Sequence, residues 1–107
     1  MKICIVYCTV PDNASATAIA KALVNKNVAA CVKIIADVTS VYRWENDVVT
    51  DREFQLIIKT TEQRIDDAFA LVSMLHPYDV PEWVVVRDAT ASDDYAKWVI
   101  EQTDSEK

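Results

Sequence analysis

A chain of 107 residues has the length of one domain, near the lower end at which a single core supports itself. Its 17 acidic residues against 11 basic ones give a formal charge of −6, and the lysines and arginines are scattered singly. That argues against nucleic acid or anionic membrane as a partner, because both need concentrated positive charge. The chain has no glycine, so a Walker loop, a GxGxxG turn and a glycine-flanked serine elbow are all excluded. A hydrophobic fraction of 51% is high for so small a protein and leaves apolar surface for a partner chain.

The first predicted element is the apolar run Ile3-Cys4-Ile5-Val6-Tyr7-Cys8, a strand buried on both faces. Pro11-Asp12 ends it, and Asp12 is placed to cap a helix from Asn13 to about Lys26. That helix puts Ala16, Ile19, Ala20 and Leu23 on one face. A β-branched stretch from Ala30 to Trp44 is a second strand, turned at Glu45-Asn46-Asp47 by residues that tolerate positive φ. Val48 to Lys59 returns as the third strand, with Phe54, Leu56 and Ile58 on one side and Glu53, Gln55, Ile57 and Lys59 on the other. Thr60 and Gln63 stand at capping-box spacing. The next helix points Ile65, Phe69 and Val72 inward, with Ala68 and Leu75 beside them. After the His76 to Glu82 loop come a strand over Glu82–Arg87 and a helix capped by Ser92. On that helix Tyr95, Trp98, Val99 and Gln102 share a face, and the polar tail beyond Thr103 is expected to fray.

The order βαββαβ with an extra C-terminal helix predicts an α+β, ferredoxin-like sandwich, an antiparallel sheet with two helices on one face, spanning 1–107 as a single domain. The second face of the first strand then needs a cover, and a copy of the same chain is the simplest one. Each hairpin arm reaches ~40 Å at 3.3 Å per residue. The domain itself is only roughly 35 Å across, so the hairpin should protrude and pair with a neighbour. High stability is expected as well, because lack of glycine lowers the entropy of the unfolded chain by a few tenths to ~1 kcal/mol per compatible site.

The rare chemistry lies in His76-Pro77-Tyr78-Asp79-Val80-Pro81-Glu82, which holds the only histidine and two of the three prolines. Prolines four apart stiffen the loop and aim the histidine. Cys4 and Cys8 are ~13 Å apart on one strand, too far for a disulfide. Three cysteines without a CxxC argue against structural zinc and for reduced thiols. The apolar runs are too short for a membrane span, and the start has no signal-peptide layout. A cytoplasmic location is expected.

In their order and spacing, several elements together resemble the CutA1 family, the divalent-cation tolerance proteins. They are Tyr7-Cys8-Thr9-Val10-Pro11-Asp12, Ala29-Ala30-Cys31-Val32, Thr39 to Glu45 with its Tyr42-Arg43-Trp44, Glu53 to Thr60, the His76-Pro77-Tyr78 loop and Tyr95-Ala96-Lys97-Trp98. The resemblance implies a ferredoxin-like fold, a homotrimer, a cytoplasmic place and a link to copper and other divalent metals, with no catalytic activity and no required cofactor. Glycines common in that family at Asp37, Asn46 and Ala91 are replaced here, and Leu75 stands where some members have a second histidine.

The resemblance maps copper ligands onto Cys8 and His76. Topology supports their proximity, because the first and fourth strands are antiparallel neighbours. A thiolate and an imidazole suit copper or zinc, with Asp12 or Asp79 as oxygen donors. The alternative is a small-ligand sensing or adaptor trimer like the PII signalling proteins. Its inter-subunit cleft would draw on Tyr42, Trp44, Glu53, Lys59, Glu82 and Trp98, with Lys59 and Glu82 orienting a polar ligand.

Overall fold

Apolar alternation and two helical segments build the expected sandwich, seen in a computed structural model that describes residues 1–104. In chain order β1 spans Lys2–Val10, α1 Asn13–Asn25, β2 Cys31–Trp44, β3 Asp47–Thr60, α2 Ile65–Leu75, β4 Val84–Thr90 and α3 Asp93–Gln102. The sheet order is β2-β3-β1-β4, with every neighbouring pair antiparallel.

One face of the sheet carries the main core. Cys4, Val6, Cys8 and Val10 of β1 and Leu56 and Ile58 of β3 meet Ala16, Ile19 and Leu23 of α1 and Ala68 and Val72 of α2. Asp12 caps α1 by accepting from Ser15 N at 2.7 Å, and the buried face of α1 is the one its spacing predicts. In α2 the buried residues are Ile65, Ala68 and Val72. Phe69 and Leu75 are exposed instead. Phe69 rotates out of the core to pack on Trp83, ring centroids 5.2 Å apart, an aromatic contact in place of burial.

The capping box at Thr60 does not form. Thr60 still pairs with Cys4 in the ladder, and its buried hydroxyl donates to Val28 O at 2.7 Å. The chain instead enters α2 through a short 3-10 turn over Glu62–Arg64. β4 begins two residues later than expected, after Pro81, and runs on to Thr90. α3 is capped by Ser92, whose Oγ accepts from Tyr95 N. Its buried residues are Ala96 and Val99, while Trp98 stays exposed. Thr103 is buried and donates to Val99 O; the end of the tail lies outside the described residues.

Ile3, Ala30, Ala96 and Val99 form a second, smaller core. Ile3 has the parity of Ile5 and Tyr7, so α3 covers one end of the sheet face opposite α1 and α2. The middle of that face, with Tyr7, Ile35, Val84 and Val86 exposed, has no cover within the chain.

The long β2–β3 hairpin protrudes as expected, and the chain measures 44 × 25 × 22 Å. Two devices shape it. Its tip uses positive φ at Glu45 and Asn46, the pair a two-residue type I′ turn needs. A β-bulge between Ile35 and Val38 places Asp37 at φ 60. The extra residue inverts the alternation of β2, so Val38, Ser40, Tyr42 and Trp44 lie on the same face as Glu53 and Gln55 of β3. Among the described residues, five non-glycine residues hold positive φ. At those sites the absence of glycine costs stability, which offsets the benefit expected elsewhere. Glu45→Gly is therefore expected to raise stability by about 1 kcal/mol, read as a higher urea midpoint at fixed chain concentration.

Candidate functional site

The end of β1, the start of β4 and the hairpin base meet at the His76 loop. Tyr7 opposes Val84, the first residue of β4, which brings the loop over the end of β1. His76 ends α2, with its backbone N–H on Val72 O, and its side chain turns inward to 8% exposure. Its Nε2 lies 2.7 Å from Thr9 O, and its Nδ1 accepts from Tyr78 N at 3.1 Å. A carbonyl can only accept, so the proton sits on Nε2 and the ring is the neutral tautomer.

The Cys8 thiol reaches the same Thr9 carbonyl, at 3.8 Å. Cys8 and His76 are thus brought together, as the strand order requires. Cys8 is fully buried, and its thiol is pushed from 9.0 up to about 12, chiefly by burial and further by Glu82 and Glu53. Because the folded value exceeds the unfolded one, the protonated thiol stabilises the fold fully below pH 9. That contribution fades as pH climbs from 9 toward 12. Alkaline titration of stability should show a decline in this window, and Cys8→Ala should make it shallower.

Glu53 is an expected member of the site with unexpected burial. It is 7% exposed and accepts from the Tyr78 hydroxyl through Oε2 at 2.9 Å. Burial, followed by that hydrogen bond, raises the Tyr78 phenol above its ordinary value. Gln55 donates to Cys8 O at 3.1 Å and to Glu82 Oε1 at 3.3 Å. Tyr42 donates to Asp51 Oδ2. Together these groups wall a cleft of about 810 Å³ between the outer half of β2 and the 77–82 loop. Glu53, Asp79 and Glu82 line it beside Tyr42, Trp44 and Tyr78, and among the described residues no lysine or arginine does.

Of the six residues expected at an inter-subunit cleft, Tyr42, Trp44, Glu53 and Glu82 are among those that line this cleft of one chain. Lys59 and Trp98 are not. Lys59 pairs with Ile5, whereas Gln55 of the cleft pairs with Thr9, a separation of ~13 Å along the strand. Lys59 instead lies over the Tyr95 ring, 5.8 Å from its centroid, and Tyr95 packs against Trp98. Within one chain Lys59 and Glu82 therefore cannot hold the same ligand. Asp12 is committed to capping α1. Among the described residues no group of three or more His, Cys, Asp or Glu side chains converges as a metal cage. Sequence reasoning missed Gln55, Tyr78 and the Thr9 carbonyl. The alternation of β3 signals Gln55, since it shares a face with Glu53, but a backbone acceptor leaves no trace in residue type.

The fold and site define a class: a ferredoxin-like sandwich with a protruding hairpin and a histidine loop closing over the first strand. Residues 4–102 match the model of the CutA1 divalent ion tolerance protein family. The chain is 43% identical over 99 residues to the divalent-cation tolerance protein CutA of Thermus thermophilus, covering 92% of this chain and 96% of that one. A solved structure of the Thermus thermophilus divalent cation tolerance protein superposes with a TM-score of 0.92 at 42% identity, over 97% of this chain and 100% of that one. The chloroplastic CutA of Arabidopsis thaliana is 37% identical over 92% of this chain. The chain spans about half of that plant protein, 54% of its length. This chain belongs to the CutA1 family.

Proposed function

We propose that the chain acts in divalent-cation tolerance as a cytoplasmic homotrimer that binds metal ions, copper among them, at Cys8 and His76. The observation that supports this reading is the shared Thr9 carbonyl, which Cys8 Sγ approaches to 3.8 Å and His76 Nε2 to 2.7 Å. Sulfur and imidazole are donors suited to copper and zinc. The uncovered sheet face and the protruding hairpin support self-association. Three free cysteines suit a reducing compartment. No catalytic role or required cofactor is proposed, since a buried thiol held protonated is a poor nucleophile.

Coordination through Nε2 would require its proton to move to Nδ1, which would turn Nδ1 into a donor and break the contact from Tyr78 N. Coordination at Cys8 displaces the thiol proton. Metal affinity should therefore rise with pH, by up to about tenfold per unit for each proton released. In titrations of the reduced protein with Cu(I), Cu(II) and Zn(II), one equivalent per chain should bind. Cys8→Ser and His76→Ala should each weaken it at least tenfold with the assembly mass unchanged, and Cys4→Ser should leave it as in the parent. Parent-like binding in all three variants would remove Cys8 and His76 as ligands.

A second reading has its own observation. The cleft of about 810 Å³ falls within the roughly 300–1,000 Å³ usual for small-molecule sites and carries convergent polar groups among aromatics. On that reading the chain is a small-ligand sensor or adaptor, as in the PII proteins.

A further inference from the structure

We propose that the cleft between the outer half of β2 and the 77–82 loop binds a small organic cation, a molecule bearing a primary ammonium or guanidinium group. The proposal rests on the second reading above and names the chemistry of the ligand. Three observations carry it.

The first is charge. Glu53, Asp79 and Glu82 line the cleft, and no basic side chain among the described residues does. None of the three takes part in an ion pair among the described residues, whose salt bridges lie elsewhere. The walls therefore present negative charge with no cationic partner among the described residues.

The second is the state of Glu53. Although it is 7% exposed, only Oε2 has a hydrogen bond, from the Tyr78 hydroxyl. No buried side-chain oxygen among the described residues lacks a partner, so Oε1, which accepts no hydrogen bond, keeps contact with solvent in a residue that lines the cleft. A carboxyl group fixed by one oxygen and open at the other is a ready acceptor for a donor-rich cation.

The third is the aromatic wall. Trp44 is 55% exposed and stands in the cleft with Tyr42 and Tyr78. Ring faces attract cations, the more strongly the less water surrounds them. A hydrated metal ion gains little from such a wall, whereas an alkyl ammonium uses both the rings and the carboxyl groups. The β2 bulge is what turns Tyr42 and Trp44 onto the face of Glu53, so the site depends on a local feature of this hairpin.

The probe is 1,4-diaminobutane, set against its neutral and anionic analogues 1,4-butanediol and succinate. Binding is followed by NMR shifts of the Trp44 indole N–H in the reduced, intact protein. The diamine should bind saturably and weaken as salt rises, while the diol and succinate leave Trp44 unmoved. Glu53→Gln, which keeps the Tyr78 hydrogen bond, and Glu82→Gln should each weaken binding at least tenfold, about 1.4 kcal/mol. Glu101→Gln, on the outer face of α3, should bind as the parent does. Equal binding of diol and diamine would overturn the cationic class while keeping the cleft as a ligand site. Failure of every probe would overturn both. Diamine binding undiminished in Glu53→Gln and Glu82→Gln would place it on the general acidic surface and refute the proposal.

Discussion

Leu56→Ala is expected to destabilise the fold by about 2–5 kcal/mol, the range for emptying a fully buried leucine position. Leu56 is fully buried where β1 and β3 meet, opposite Cys8. Its neighbours come from a sheet and two helices, so they cannot collapse into the space without shifting an element. Urea unfolding at fixed chain concentration reads the effect, since any self-association makes apparent stability depend on concentration. A loss below about 1 kcal/mol would mean that the core around Leu56 repacks freely.

The second large effect concerns assembly. Ile57→Asp puts a charge in the middle of the uncovered sheet face, beside Tyr7 and Lys33 in the ladder. If a second and third copy cover this face, the charge replaces an apolar contact and must be desolvated there, a cost that Lys33 opposite it offsets only in part, and association should fail. Light scattering should fall from the trimer mass to the 12.1 kDa of one chain, with far-UV circular dichroism retained. An unchanged mass would show that this face is not where copies meet.

Much of the fold is legible in the sequence, because alternation and helical spacing carry it directly. The four buried positions of α1 are those its periodicity names, since small and branched apolar residues fall on a single stripe. The inner face of α2 is harder to read. Ala68 and Phe69 are adjacent on the helix, and size favours Phe69 for the core. The partner that draws Phe69 outward, Trp83, is far along the chain. At Thr60 a local capping pattern competes with a ladder to Cys4, and the long-range pairing wins. The bulge at Asp37 has no residue signature in a chain without glycine, although it sets the face on which Tyr42 and Trp44 lie.

The site divides in the same way. Strand order alone places Cys8 beside the loop that follows His76, and both side chains reach the Thr9 carbonyl. Lys59 and Glu82 carry opposite charges that would suit one polar ligand, but a four-residue step along β1 separates Lys59 from the cleft. Burial of Glu53 is not legible. Its strand position predicts an open face, and only the folded loop supplies Tyr78 to cover it.

Whether Cys8 and His76 hold a metal ion is read most directly by X-ray absorption at the zinc edge, on reduced protein loaded with one equivalent of zinc. Coordination by this pair predicts one sulfur neighbour at about 2.3 Å and an imidazole nitrogen at about 2.0–2.1 Å, both lost in Cys8→Ser with His76→Ala. A first shell of oxygen alone would contradict it.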